Sequence, residues 1–384
     1  MNILFISDVY FPRINGVSTS IHTLRGQLVE MGHHVHMIAP DYYSPSADES
    51  WISRIPSRYL PFDPEDRLMK YGDALKHCMQ QLQVDFDLIH VHTPFAAHYL
   101  GLRLARRLGI PCVETYHTFF EDYMHHYLPI LPRPLLKTLA RSLSRRQCNA
   151  MDAVIAPSQP MLDALRGYGV KSHAAVIPTG LESHSFVPGD GGGFRARYGI
   201  ASDRPVLLFV GRVAHEKNIG FLLRMVVQVK HTRPDVLLVV AGEGPALDGL
   251  RKEAQALGLQ DHIHFLGYLD RATELNDCYR AADIFVFSSL TETQGLVLLE
   301  AMAQGVPVVA IAEMGTKSIL VEGQGALIAP QDEHGFAGRV LELLADPVQM
   351  RATGDLARDY ARQWSAFSMA GRMEDFYQQV LAEK

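Results

Sequence analysis

A chain of 384 residues exceeds the roughly 250–300 over which one hydrophobic core keeps growing, so two domains are expected. Its 47% hydrophobic and 20% charged residues are an ordinary globular composition, and a net charge of −6 excludes nucleic acid as a main partner. No apolar run approaches the ~20 residues that cross a bilayer, and Cys78, Cys112, Cys148 and Cys278 lack CxxC or metal-ligand spacing; they read as reduced thiols of a cytoplasmic protein.

The first ten residues are apolar, with no basic leader or small-residue cleavage site, and read as a first strand. Short β-rich runs follow at 2–7, 35–39, 88–91, 111–115, 153–157 and 174–177, with helical patterns at 16–31 and 95–108. Runs of this length suit parallel strands buried on both faces, and their alternation with helices predicts a doubly wound α/β sheet. The sequence VPGDGGG at 187–193 is the chain's glycine cluster and is expected to be a linker. The rhythm then restarts at 206–210, 236–241, 263–266, 284–288 and 308–311. The expected organisation is an N-terminal domain 1–185, a linker 186–193, a C-terminal domain 194–365, and a last helix, 366–384, packing back towards the first domain. Two doubly wound domains then face a cleft, and ligands bind outside the carboxyl ends of their strands.

Five constellations carry candidate chemistry. Asn15-Gly16, after the first strand, makes a turn into a helix where glycine lets a phosphate approach the backbone; alone this is a weak signal, and a plain βα turn is the simpler reading. His117 stands at a strand's carboxyl end, able to donate to a sugar hydroxyl or move a proton. His90-Val-His92 points two imidazoles the same way from a strand, but no third ligand is evident, so no metal site is expected. Leu135, Leu139 and Leu143 recur every four residues among Arg133, Lys137, Arg141, Arg145 and Arg146. That pattern fits a basic amphipathic helix on an anionic membrane, or a core-packing helix with a solvated basic edge. Gly211-Arg212 and Lys217 follow another strand, offering phosphate a bidentate fork and a mobile point charge.

The most informative segment runs from Ser288 to Ala303. A buried strand gives way to Glu292, Thr293, Gln294 and Gly295, and a helix begins at about Leu296 with Glu300 inside it. The open N–H groups of a helix start suit an anion, whereas Glu292 needs a different target. A neutral sugar joined to phosphate meets both demands. Paired carboxylates also occur in hydrolases, but the phosphate-suited helix start beside them favours transfer from an activated sugar.

Together with Glu216-Lys217-Asn218, Ala241-Gly242-Glu243-Gly244-Pro245 and Phe265-Leu266-Gly267-Tyr268, these residues resemble the retaining glycosyltransferases of family 4, the group 1 glycosyl transferases of GT-B fold. The resemblance implies two Rossmann-like domains across a cleft and a nucleotide-sugar donor. It assigns the diphosphate to Arg212 and Lys217, the ribose to Glu300, and the transferred sugar to Glu292 and His117. Thr293, Gln294, Gly295 and Leu296 would line the sugar and phosphates, with Asn15, Gly16, Gly211, Gly242 and Tyr268 completing the donor site. No metal or other cofactor is implied, because the two cations neutralise the departing diphosphate.

A narrower likeness, through Tyr116-His117-Thr118, Glu121-Asp122-Tyr123, Ile177-Pro178-Thr179-Gly180 and Thr291-Glu292-Thr293-Gln294-Gly295, is to bacterial diacylglycerol glucosyltransferases. It implies UDP-glucose as donor, a lipid acceptor and a place on the cytoplasmic membrane face. The alternatives are the same chemistry on a soluble sugar phosphate or polysaccharide with a UDP- or GDP-sugar, and a nucleotide-sugar epimerase that needs no acceptor.

Overall fold

The computed structural model describes residues 1–43, 50–60, 63–81, 85–117, 133–271 and 273–383. The chain forms two compact units, one of Met1–Gly180 with Ala366–Lys384 and the other of Leu181–Ser365.

Unit 1 contains β1 (Asn2–Ile6), α1 (Gly16–Glu30), β2 (His34–Pro40), β3 (Ile52–Ile55), β4 (Ser57–Leu60), β5 (Asp63–Met69), α2 (Tyr71–Gln81), β6 (Leu88–Val91) and α3 (Ala96–Leu108). It continues through β7 (Cys112–Thr115), α4 (Arg133–Cys148), β8 (Ala153–Ala156), α5 (Gln159–Gly167) and β9 (His173–Val176). Seven strands form a parallel sheet in the order β3-β2-β1-β6-β7-β8-β9, and β4 and β5 pair separately as an antiparallel ribbon.

Successive side chains of a strand face opposite ways, which explains the unbroken apolar runs. Leu4 and Ile6 of β1 join one core with Leu100 and Leu104 of α3, Ala140 and Cys148 of α4, and Met161 and Leu165 of α5. Ile3 and Phe5 join the other with Ile21 and Leu28 of α1 and with Met373, Phe376 and Tyr377 of the last helix.

Unit 2 contains α6 (Gly191–Arg197), β10 (Val206–Val210), α7 (Ile219–Thr232), β11 (Leu237–Ala241), α8 (Leu247–Ala256), β12 (Ile263–Gly267), α9 (Leu275–Arg280) and β13 (Ile284–Phe287). It continues with α10 (Leu296–Ala303), β14 (Val308–Ala310), β15 (Ala326–Ile328), α11 (Glu333–Ala345) and α12 (Pro347–Ala361); α13 (Ala366–Ala382) belongs to unit 1. Its six parallel strands run β12-β11-β10-β13-β14-β15. Both sheets are therefore doubly wound, as the alternating pattern predicts.

Two organisational expectations are corrected. The first boundary falls at Gly180–Leu181 rather than after residue 185, and the glycine cluster lies inside unit 2. Gly191 opens α6, where the Asp190 carboxylate accepts a bond from the Gly193 N–H at 2.8 Å. A Cβ on Gly189 would lie 2.3 Å from the Asn276 carbonyl, and one on Gly191 2.4 Å from that of Arg280. These glycines are there for close approach to α9, not for a flexible tether. The two crossings between units are joined within unit 2: Leu181 bridges Ser365, and its N–H donates to Trp364 at 2.7 Å.

Candidate active site

In unit 2 the loops after β10, β11 and β12 interlock through their backbones. The Gly211 N–H donates to Ala241 at 3.0 Å, Val213 to Glu243 at 2.8 Å, and Gly242 to Gly267 at 2.7 Å. Gly242 has φ +138°, and a Cβ there would stand 1.9 Å from the Gly211 carbonyl oxygen. The glycines near Arg212 and Tyr268 are thus dictated by three loops packed backbone to backbone at the carboxyl ends of adjacent strands.

The turn His215–Lys217 ends at Asn218, whose φ of 56° is in the left-handed region that asparagine tolerates. Buried serines at the end of β13 hold this turn. Ser288 Oγ donates to the Asn218 carbonyl at 3.0 Å and Ser289 Oγ to that of Glu216 at 3.3 Å. Lys217 is thereby placed with Nζ 2.5 Å from Glu292 Oε1. Burial alone would push the Glu292 carboxyl upward, but the Lys217 charge and hydrogen bond, with the Ser289 hydroxyl, hold it below the ordinary glutamate value. Glu292 is ionised at neutral pH. Arg212 is half exposed and lies 3.8 Å from Glu216.

Gly295, with φ +96°, turns the chain into α10, one turn of which leads to Glu300. A surface position for Glu300 is ruled out, since its side chain is 7% exposed. Tyr279 Oη donates to its Oε2 at 2.7 Å and the Arg271 guanidinium to its Oε1. Each oxygen keeps lone-pair capacity for one more donor. Gln294 is buried, Thr293 and Leu296 are partly buried, and Tyr268 is exposed.

Sequence reasoning missed Arg271 and Tyr279, which fix Glu300 from 29 and 21 positions away. It also missed the turn Met314–Ser318 beneath the Glu292 loop. Its Gly315 N–H donates to the Glu292 carbonyl at 2.8 Å, and a Cβ on Gly315 would lie 2.1 Å from the Thr293 oxygen. Neither feature has a local signal; only Gly315, at a position where a side chain would clash, left a trace in the sequence.

Asn15, Gly16 and His117 belong to unit 1. Asn15 caps α1, its side chain accepting from the Ser18 N–H at 2.9 Å, and a Cβ on Gly16 would meet nothing within 4 Å. The plain-turn reading of this pair therefore accounts for its geometry. His117 follows β7, half buried, with its Nε2 3.2 Å from Nδ1 of His92. The third imidazole near His90 and His92 is thus His117, but the rings follow one another in a row of near-parallel planes rather than converging on one point. Among the described residues no group of three or more His, Cys, Asp or Glu side chains could hold a metal ion.

The basic helix forms as α4, and its leucine stripe of every fourth residue does not pack into the core. Leu135, Leu139 and Leu143 are 48%, 45% and 40% exposed. The buried face is instead Leu136, Ala140, Ser144 and Gln147, the last two bonded to Tyr116 Oη at 2.7 Å and the Pro94 carbonyl at 2.7 Å. Lys137, Arg141, Arg145 and Arg146 are exposed. Thr118, the aromatic segment 119–127 and the Arg133 side chain lie outside the described residues. Among the described residues no helix is long and apolar enough to cross a membrane.

Comparison with known proteins gives two family matches: residues 14–184 fit Glycosyltransferase Family 4, and residues 193–363 fit the Glycosyl transferases group 1. The alpha-monoglucosyldiacylglycerol synthase of Streptococcus pneumoniae is 36% identical over 98% of this chain and 85% of its own length. That of Acholeplasma laidlawii is 28% identical over 87% of this chain and 86% of its own. Among solved structures, sucrose-phosphate synthase of Thermosynechococcus elongatus superposes with a TM-score of 0.81 at 24% identity, covering all of both chains.

Proposed function

This chain belongs to the group 1 glycosyl transferases of Glycosyltransferase Family 4 and has the GT-B fold, and on that premise we propose that it moves glucose from UDP-glucose to the free hydroxyl of a diacylglycerol, retaining the anomeric configuration. The observation that carries the reading is the Lys217–Glu292 pair, 2.5 Å apart, in front of the α10 start. A phosphate-suited cation touches a sugar-suited carboxylate there, which is what a sugar diphosphate needs along its length.

Arg212 and Lys217 take the diphosphate, helped by the open N–H groups at Leu296 and beyond. Glu292, kept ionised by Lys217, accepts from hydroxyls of the transferred glucose, while Glu300, steadied by Arg271 and Tyr279, accepts from the ribose. His117 is read as a hydrogen-bonding partner of the transferred glucose. The C1–oxygen bond to the diphosphate breaks with its electron pair going to the phosphate oxygen. The acceptor oxygen bonds C1 from the same face and its proton passes to that departing oxygen. Stabilising charge on the leaving diphosphate is the largest task, and it falls to the two cations.

Three observations support a lipid acceptor at an anionic surface. Both relatives named above are glycolipid synthases. The leucine stripe of α4 is exposed beside its cations. Finally, an open groove of about 690 Å³ between α2, α3 and the end of α4 is bordered by Arg103, Arg106, Arg107 and Arg146.

The test is a panel of UDP- and GDP-sugars with diacylglycerol in phosphatidylglycerol vesicles, read by mass spectrometry of new glycolipid and by NMR of its anomeric proton. An α-glucosyl lipid from UDP-glucose, lost in Glu292→Gln and Lys217→Ala, is expected. Transfer only to soluble acceptors, or only from a GDP-sugar, refutes the acceptor or the donor respectively. Conversion of the sugar without acceptor would reveal an epimerase.

A further inference from the structure

Three imidazoles stand in a row on the unit 1 sheet. His90 and His92 project from β6 and its end on the same side, with ring centroids 4.0 Å apart. His117 follows, 5.5 Å from His92 and nearly parallel to it at 27°. Phe5 meets His90 and His92 edge-on at 5.3 and 4.7 Å, so the row is walled by an aromatic ring.

Burial keeps all three rings neutral at physiological pH: His90 and His92 are held well below the ordinary histidine value and His117 is pushed down to about 4. A neutral imidazole carries one proton, on one of its two nitrogens. His90 uses both nitrogens, Nδ1 with the Tyr377 hydroxyl at 2.6 Å and Nε2 with the Thr115 hydroxyl at 2.7 Å. It is a fixed wall against which His92 stacks.

His92 differs. Its Nδ1 meets His117 Nε2 at 3.2 Å, while its own Nε2 is buried without a hydrogen-bond partner. Only one proton occupies the bond between the two rings. If His117 supplied it, the His92 proton would sit on Nε2 as a buried N–H with no acceptor, the rarest kind of orphan in folded proteins. If His92 supplies it from Nδ1, only a bare lone pair is left at Nε2. The second arrangement wins by the asymmetry between stranding a donor and stranding an acceptor. It also requires His117 to accept at Nε2 and to carry its own proton on Nδ1.

We propose that His92 is a positioning residue which, by donating from Nδ1 to Nε2 of His117, fixes His117 as the Nδ1–H tautomer and makes it a hydrogen-bond donor, rather than a base, towards an oxygen of the sugar. The proposal rests on the reading that His117 contacts the transferred sugar. It gives that contact a direction: an acceptor oxygen on the substrate is matched and a bare hydroxyl proton is not.

The decisive measurement uses the full chain labelled with ¹⁵N-histidine. Long-range proton–nitrogen correlation reports which ring nitrogen of His117 is protonated, the signals being assigned by their loss in His117→Gln. Nδ1–H is expected in the unmodified protein, and Nε2–H there overturns the proposal whatever any variant does. His92→Phe keeps the stacked ring and removes the donor, so His117 should shift towards Nε2–H and kcat should fall about tenfold, the size of one neutral hydrogen bond. His92→Asn, which restores an N–H near the Nδ1 position, should recover both tautomer and rate. An unchanged tautomer in His92→Phe overturns the proposal, and so does a shifted tautomer with an unchanged kcat. Should the chain transfer no sugar at all, the functional reading fails while the tautomer remains measurable.

Discussion

Replacing Lys217 with methionine keeps most of the side chain's bulk and removes its charge, leaving Glu292 without the cation that holds it ionised. The Glu292 side chain is only 13% exposed and that of Lys217 21%, so water cannot fully take the cation's place. The carboxylate has an escape, which is to take up a proton. At pH 7 that costs about 3.5 kcal/mol for a group of ordinary glutamate pKa, and at pH 5 less than about 1 kcal/mol. The loss of stability is therefore capped. Lys217→Met should destabilise unit 2 by about 2–3 kcal/mol at pH 7 and by about 1 kcal/mol at pH 5. The chain has two tryptophans, Trp51 in unit 1 and Trp364 in unit 2, so urea unfolding followed by fluorescence in a Trp51→Phe background reads unit 2 alone. Adding Glu292→Gln removes the stranded charge and should recover at least about 1.5 kcal/mol at pH 7, with glycosyl transfer still absent. Equal destabilisation at the two pH values, or a double variant no more stable than the single one, would refute the reasoning.

Tyr279→Phe deletes a 2.7 Å hydrogen bond to the buried Glu300 carboxylate; it should cost roughly 1.5–3 kcal/mol by the same fluorescence assay and raise the donor KM more than it lowers kcat. Gly242→Ala drives a Cβ to 1.9 Å from the Gly211 oxygen at φ +138°, so unit 2 should lose about 3 kcal/mol or more, seen as a lower urea midpoint. Leu139→Asp should weaken co-sedimentation with phosphatidylglycerol vesicles about tenfold while leaving circular dichroism unchanged, since that leucine supports no core. Asp8 is buried, and desolvation pushes its carboxyl up to about 6 despite bonds from the Ala97 N–H and the Thr93 hydroxyl. The folded state therefore binds this proton more tightly than the unfolded one. As pH rises from about 4 through 6, that preference removes about 3 kcal/mol of stability, and Asp8→Asn should flatten the decline when Trp51 is followed in a Trp364→Phe background.

What was legible in the chain depended on how local its cause is. The strand at 88–91 and that at 206–210 coincide with β6 and β10 because both faces are buried and a short, mostly apolar run suits such a place. The start of α10 is written in one glycine with φ +96°. By contrast β3, Ile-Ser-Arg-Ile, mixes polar with apolar residues at the sheet edge and shows no buried run. The glycines at 189–193 read as flexibility because composition alone does not distinguish a tether from a close approach. His92 read only as half of a His90–His92 pair with no third imidazole, since its partner lies 25 residues on. Arg271 was invisible for the same reason: an ion pair across a loop leaves no periodicity.

The route of the chain reverses the usual order of assembly during synthesis. Unit 2 is one continuous stretch, Leu181–Ser365, whereas unit 1 is completed only by α13, which follows unit 2 in the chain. Domains ordinarily fold from the N-terminus onward as the ribosome releases them. Here unit 1 waits with the core between its sheet and α1 only partly covered, because Met373, Phe376 and Tyr377 complete it. Tyr377 is also the partner of His90, so the wall behind His92 is set only after unit 2 has been made. A polypeptide released before α13 would thus carry a finished unit 2 and an incomplete unit 1, its row of imidazoles lacking the Tyr377 hydroxyl that holds the His90 end.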